Sequence, residues 1–318
     1  MDQSKTAEIS RSERMLRSAL GPLLLARLDD PAVGELMVNP DGRVWVERFD
    51  VGLVDTELLI SAADAERVMR LVAHHVGAEV HAGRPRLSAE LPGTGERFEG
   101  QMPPVVTAPT FAIRKPAREL FTLDDYVRSG VMDASQALVL WDAVRERRNI
   151  LVVGQTSSGK TTLVNALLEK VAQTNDRVIV CEDLRELQCA APNLVTLRTI
   201  EGVVTLTDLV RSTLRLRPDR IIIGEVRGPE ALDLVKAWGT GHPGGIGTLH
   251  AGSALGALLR LEQLIQEAVV TVPRGLIAET IDLIAVLAGR GRQRRLIELS
   301  RLEGVAPTAP TSSALPEN

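Results

Sequence analysis

Leu16, Leu20, Leu23, Leu24 and Leu28 recur at helical spacing over residues 13–28, and the run stops at Asp29-Asp30-Pro31. This predicts an amphipathic helix that packs on its own domain. The period then shortens. Leu36-Met37-Val38 and Arg43-Val44-Trp45-Val46-Glu47 flank Asn39-Pro40-Asp41-Gly42, which predicts a β-hairpin with a four-residue turn. A helix over residues 62–77 and several short strands over 84–114, broken by glycine and proline, complete a mixed α+β segment.

From about residue 135 the pattern changes to helices alternating with wholly apolar runs. Asn149-Ile150-Leu151-Val152-Val153, Arg177-Val178-Ile179-Val180-Cys181 and Arg220-Ile221-Ile222-Ile223 read as strands buried on both faces. Strands of that kind, separated by helices, predict a parallel, doubly wound α/β sheet. The expected organisation is a smaller N-terminal α+β domain over residues 1–118 and a connector over 119–134. Within the connector, Phe121-Thr122-Leu123-Asp124-Asp125-Tyr126 enters a short helix. The α/β domain follows over 135–305, and then a Pro/Ser/Thr-rich tail, 306–318, expected to be disordered.

Composition narrows the field. The chain is 44% hydrophobic and 25% charged, with net charge −4 and only 3% aromatic residues. A nonspecific nucleic-acid binder more often carries a basic excess and stacking aromatics, so direct nucleic-acid binding is not expected. The basic clusters Arg145-Glu146-Arg147-Arg148 and Arg290 to Arg295 read as solvated turns. No apolar run is long enough to span a membrane, and Met1-Asp2-Gln3-Ser4-Lys5 lacks the apolar core of a signal peptide. Cys181 and Cys189 form no C-x-x-C pair, and Cys181 reads as a packed, reduced thiol. The expected compartment is the cytoplasm.

The chemistry concentrates at Gly154-Gln155-Thr156-Ser157-Ser158-Gly159-Lys160-Thr161, a full match to G-x-x-x-x-G-K-[ST]. A buried strand precedes it, and Thr162-Leu163-Val164-Asn165-Ala166-Leu167-Leu168 follows with helical periodicity. That context makes it a phosphate loop. Small residues let backbone N–H groups converge on a phosphate chain, and the helix N-terminus adds its positive end. Lys160 can reach the β- and γ-phosphates of a bound nucleotide, and the Thr161 hydroxyl can ligate Mg²⁺. Two further strands end in acids, Glu182-Asp183 and Gly224-Glu225. Strand ends of a parallel sheet share one rim, so these carboxylates are expected beside the phosphate loop, one orienting water and the other on the Mg²⁺ shell. Gly239-Thr240-Gly241-His242-Pro243-Gly244 matches G-x-G-x-x-G, but a helix precedes it and Pro243 interrupts it. It reads instead as a mobile loop leading to His250, a candidate γ-phosphate sensor.

Taken in order, the phosphate loop, Ile179 to Leu187, Leu214 to Arg227, and Gly241-His242-Pro243-Gly244 through Thr248-Leu249-His250-Ala251-Gly252-Ser253 resemble the Walker A, Asp box, Walker B and His box of the type II/type IV secretion ATPases. Gly224-Glu225 matches the atypical Walker B of that superfamily. Val33 to Gly42, Gly95 to Gly100 and Phe111 to Pro116 further resemble conjugal-transfer ATPases of the TrbB type. Gln155 and Leu184 depart from common glycine and threonine positions without removing a phosphate or metal ligand.

The resemblance implies a RecA-like core and a hexameric ring with nucleotide between the two domains. It also implies partners in the inner-membrane part of a secretion or conjugation machine, with peripheral contact at that membrane. Arginines of the N-terminal domain would then reach the triphosphate, and Arg97 and Arg114 are the candidates; pairing with local acids is the competing reading. The expected activity is ATP hydrolysis powering type IV secretion or conjugative transfer, with Gly154 to Thr162 holding nucleotide. Glu182 would be the water-orienting base, and Thr161 and Glu225 would serve Mg²⁺; the roles of the two glutamates can be exchanged at this level. A helicase-like motor on the same core, a type II secretion or pilus-assembly ATPase, and a non-hydrolysing assembly protein are the alternatives. A GTPase is disfavoured, because no Asn-Lys-x-Asp or Thr-Lys-x-Asp motif occurs.

Overall fold

A computed structural model describes residues 3–302 other than 94, 116–120 and 201. Contacts divide the chain into two units, Met1–Leu120 with Leu184–Glu186 and Gly291–Gln293, and the remainder. The predicted boundary near residue 118 and the predicted tail lie outside the described residues.

The first unit opens with α1 (Gln3–Asp29). It carries the predicted leucine stripe but is not one straight helix: Gly21 leaves helical geometry just before Pro22. Proline has no N–H to give to the preceding turn and crowds its carbonyl, so the kink falls there. Leu16, Leu20, Leu24 and Leu28 remain buried while Leu23 is exposed. The hairpin forms from β1 (Val33–Val38) and β2 (Arg43–Arg48), followed by β3 (Gly52–Leu59). Helix α2 (Ala62–His75) starts where the Ser61 side chain accepts from the Asp64 N–H, and it buries Ala65, Val68, Met69 and Val72 at i, i+3, i+4 and i+7 spacing. Strands β4 (Arg86–Glu90), β5 (Arg97–Gln101) and β6 (Thr110–Arg114) complete a six-stranded antiparallel sheet ordered β3-β2-β1-β6-β5-β4. Helices α1 and α2 cover its apolar face.

The second unit begins earlier than the predicted α/β domain. Helix α3 (Leu123–Arg128) puts Leu123 and Tyr126 into this unit's core, and Met132 follows them, so most of the predicted connector is structural. Helix α4 (Ala134–Arg145) leads to β7 (Ile150–Gly154), the phosphate-loop residues and α5 (Lys160–Val171). The chain continues through β8 (Arg177–Glu182), β9 (Asn193–Arg198), α6 (Leu206–Thr213), β10 (Arg220–Ile223), α7 (Glu230–Gly239) and β11 (Ile246–Leu249). It closes with α8 (Ala254–Gln266), α9 (Arg274–Thr280), β12 (Leu283–Ala288) and β13 (Arg295–Arg301).

The sheet order is β13-β12-β7-β11-β10-β8-β9. Its strands run parallel from β12 to β9, as the buried runs predict, but β13 is antiparallel to β12. The sheet is therefore mixed. Only residues 289–294 join those two strands, and a parallel return needs a crossover of about a dozen residues or more. Successive side chains of the central strands enter two different cores. Leu151, Val153, Ile179, Cys181, Ile221 and Ile223 pack on one face; Ile150, Val152, Val178, Val180 and Ile222 pack on the other. Each such side chain contributes about 1.5–3 kcal/mol relative to exposure. Burial, together with neighbouring Glu182, pushes the Cys181 thiol up to about 12.

The cluster at residues 145–148 is not simply solvated. Arg147 pairs with Asp176, whose carboxylate also takes the Arg220 Nε at 2.6 Å, and both Arg220 and Asp176 are buried. Burial alone would raise the Asp176 carboxyl, but Arg220, Thr174 and Arg147 outweigh it and hold it low. Charge runs look solvated when their partner lies elsewhere in the chain. Among the described residues no helix is long and apolar enough to cross a membrane.

Candidate functional site

Parallel pairing puts the carboxyl ends of β7, β8, β10 and β11 on one rim of the second sheet, with Ile223 opposite Cys181 and Leu249 opposite Val153. The phosphate loop leaves β7 and enters α5 through Gly159, whose φ of 92° is left-handed. Residues with a side chain rarely adopt that conformation, which accounts for glycine here. Ser157 is also left-handed, at φ 63°, and strain at a non-glycine residue inside a loop is often retained for function. No side chain caps the N-terminus of α5, and a helix N-terminus turns its first N–H groups and positive end toward an anion. Thr161 and Thr162 sit in that first turn.

Lys160 is buried and folds back over the loop. Its Nζ donates to the carbonyls of Gly154 at 3.1 Å and Gln155 at 3.2 Å, and lies 3.3 Å from His250 Nδ1. An ammonium can only donate, so Nδ1 accepts and the imidazole proton belongs on Nε2. Nε2 in turn faces Glu225 Oε1 at 2.7 Å. Glu225 also pairs with Arg227, and Arg227 lies 3.6 Å from Asp183 Oδ2. Thr199 Oγ1 donates to the other Asp183 oxygen at 3.1 Å. A continuous polar chain thus crosses the rim from Lys160 to Thr199.

Glu182 is buried at the end of β8. Its Oε1 accepts the Leu187 N–H at 2.8 Å, and its side chain lies against Gly224, the residue before Glu225. Lys160, His250 and Glu225 are therefore brought into direct contact, with Glu182 on the adjacent strand end.

His250 is a neutral imidazole at physiological pH. Burial lowers its pKa first, and Lys160, Arg227 and Arg260 lower it further against the opposing pull of Glu225. The Lys160 contact is accordingly present above the ordinary histidine value and is lost as pH falls through the depressed one. Long-range ¹H–¹⁵N spectra are expected to show the Nε2–H tautomer at pH 7.5, with titration below pH 6.5. A midpoint above that value would contradict the assignment.

Within the glycine segment before β11, residues 239–241 and Pro243 are exposed, whereas its last two glycines are packed. Gly244 and Gly245 are buried, and a Cβ at Gly245 would lie 2.1 Å from the Trp238 ring. The Trp238 Nε1–H is held by the Ile221 carbonyl at 3.0 Å, so the ring cannot retreat. Glycine serves helix-to-sheet packing at that position.

Arg97 and Arg114 belong to the first unit. They stand directly opposite each other across β5 and β6, and Glu35 on β1 stands opposite Arg114. All three alternate with core residues and so lie on the face away from α1 and α2. Like charges opposite each other disfavour pairing; here Arg97 Nη1 lies 3.6 Å from Glu186 Oε1. Burial pushes the Glu35 carboxyl up, which Arg114 and Arg97 oppose.

Two arginines escaped the sequence reading. Arg227 lies two residues past Glu225, a spacing that would have drawn attention to it. Arg294, inside the cluster read as a solvated turn, lies against Gly159 of the phosphate loop. No local pattern joins those two positions.

A family model described as "Type II/IV secretion system protein" matches residues 25–294. The chain is 47% identical over 296 residues to "Conjugal transfer protein TrbB" of Rhizobium radiobacter, covering 92% of this chain and 91% of that protein. It is 35% identical over 317 residues to "Type IV secretion system protein PtlH" of Bordetella pertussis, covering 86% and 91%. Among solved structures, the Legionella pneumophila ATPase DotB aligns over 91% of this chain and 80% of its own, with TM-score 0.61 and 19% identity, a likeness of fold.

Proposed function

This chain belongs to the type II/IV secretion system protein family, and from that premise we propose that it is an ATP-hydrolysing motor of a type IV secretion or conjugative-transfer apparatus. The observation that carries the reading is the direct link from Lys160 through His250 to Glu225 at the strand ends. It joins the group that would hold the terminal phosphates to an acid of the site, so phosphate loss can be felt at the rim. The conjugal-transfer and secretion relatives support the choice of machine.

In this reading the second unit is a RecA-like domain. The residues from Gly154 to Thr162 cradle the phosphates, and Lys160 neutralises the terminal ones. Glu182 orients water, and His250 senses the γ-phosphate. Arg97 and Arg114 serve the triphosphate; their like-charge pairing across β5 and β6 favours a shared anion. Among the described residues no cluster of three His, Cys, Asp or Glu could cage a metal. That fits Mg²⁺, which is usually held by one or two protein groups together with phosphates and water. Thr161, and Glu225 through water, would hold it. Bound there, it would neutralise charge on the β- and γ-oxygens. The working assembly is a homo-hexamer in the cytoplasm, peripheral at the inner membrane and partnered with membrane components of the machine.

The purified protein is expected to hydrolyse ATP only with Mg²⁺ and to form six-membered rings with an ATP analogue in electron micrographs. Single-stranded DNA should give no salt-dependent stimulation. Strong stimulation of that kind would favour a nucleic-acid motor instead, and absence of Mg²⁺-dependent hydrolysis would remove the reading.

A further inference from the structure

We propose that Arg294 is a further phosphate-binding residue, contacting the phosphate oxygens that ADP and ATP have in common. The proposal rests on the nucleotide site proposed above and adds a ligand from the chain segment just before β13.

A Cβ built on Gly159 would lie 2.7 Å from Arg294 Nε, 2.8 Å from Cζ and 3.0 Å from Nη1. The guanidinium therefore rests on the loop glycine that begins α5. Two features make this an unusual place for a cation with no counterion. The start of a helix is its positive end, where a guanidinium is disfavoured. Arg294 Nε is also buried without a hydrogen-bond acceptor, and no carboxylate among the described residues forms an ion pair with this side chain. Ser158, one residue earlier in the loop and 1% exposed, likewise leaves its Oγ without a partner among the described residues. The Ser158 Oγ is turned toward Gly154, whereas an anion at the loop would relieve both conditions at Arg294 together. Guanidinium presents planar, forked donors suited to phosphate oxygens.

Position decides which phosphates. Lys160 is drawn toward His250 and Glu225, the group assigned to the terminal phosphate. Arg294 stands on Gly159 and exerts its charge on Tyr126, outside that group. Its ligand is therefore present before and after hydrolysis, and its effect should fall on binding rather than on the chemical step.

The test uses the full chain with Arg294→Ala and Arg294→Lys, measuring affinity for Mg²⁺-ATP, Mg²⁺-ADP and inorganic tripolyphosphate, together with kcat and ligand-free Tm. Arg294→Ala is expected to weaken all three ligands by about tenfold, equal to about 1.4 kcal/mol, with kcat within about twofold by the uniform-binding argument. Arg294→Lys should recover part of the loss by restoring the charge. Wild-type affinity in Arg294→Ala would overturn the proposal. Loss for ATP and ADP with tripolyphosphate unchanged would also overturn it, by indicating contact with the base or sugar. So would equal losses in both variants with a lowered Tm, which mark a structural prop. Wild type and Lys160→Ala are measured alongside. Failure of the wild type to bind nucleotide would sink the site itself, whereas normal wild-type binding with unaltered Arg294 variants would sink only this residue.

Discussion

Lys160→Ala is expected to abolish ATP turnover, lowering kcat by about 10³-fold or more, the range associated with removing a cation from a phosphoryl-transfer transition state. The size follows from where the ammonium sits. It is buried over the loop, and it bonds to the carbonyls of Gly154 and Gln155 and to His250 Nδ1. Charge in such a water-poor place acts with less screening than at a surface. Truncation also disconnects His250 and Glu225 from the loop, so the proposed sensing path is lost with the charge. The fold should survive. Each lost hydrogen bond costs about 1 kcal/mol, against a domain stability of roughly 5–15 kcal/mol. Phosphate release, nucleotide affinity and Tm measured together separate loss of function from loss of fold. Full hydrolysis by a well-folded Lys160→Ala protein would end the reading of this rim as an ATPase site.

The parts of this rim that were legible in the sequence are those with local signatures. The loop, its flanking strand and helix, and the acids ending β8 and β10 all follow from short-range pattern: an apolar run stops, and an acid or a glycine takes over. Parallel pairing then brings those ends together, because alternating helices and doubly buried strands leave few other topologies. What stayed hidden depends on partners distant in sequence. Arg147 looks solvated until β8 and the turn before it bring Asp176 beneath it. Arg294 looks solvated until the antiparallel return of β13 carries it to Gly159. Gly245 looks like part of a mobile loop until α7 lays Trp238 on it. Residue type announces a charge or a missing side chain; only the fold decides what that charge or that gap meets.

Glu182→Gln is expected to keep ATP binding close to wild type and to lower kcat by about 10²- to 10⁴-fold, the usual contribution of a positioned general base. The substitution is suited to the geometry. Glu182 Oε1 accepts the Leu187 N–H at 2.8 Å, and the glutamine carbonyl can accept the same bond. Shape and packing against Gly224 are preserved, while the negative charge and the basic oxygen are lost. Binding should change little, because in the proposed reading the loop and Lys160 hold the phosphates. Glu225 is placed differently. It faces His250 and Arg227, and Glu225→Gln should weaken the Arg227 pair and raise the Mg²⁺ concentration needed for half-maximal turnover. Measuring ATP affinity, single-turnover hydrolysis and Mg²⁺ dependence for both variants tells the roles apart. If Glu182→Gln loses binding, its carboxylate is a ligand rather than a base. If Glu182→Gln turns over normally and Glu225→Gln binds but does not hydrolyse, the two assignments are exchanged. Water would then be oriented by the acid already joined through His250 to the lysine on the phosphates, making sensing and hydrolysis a single coupled element.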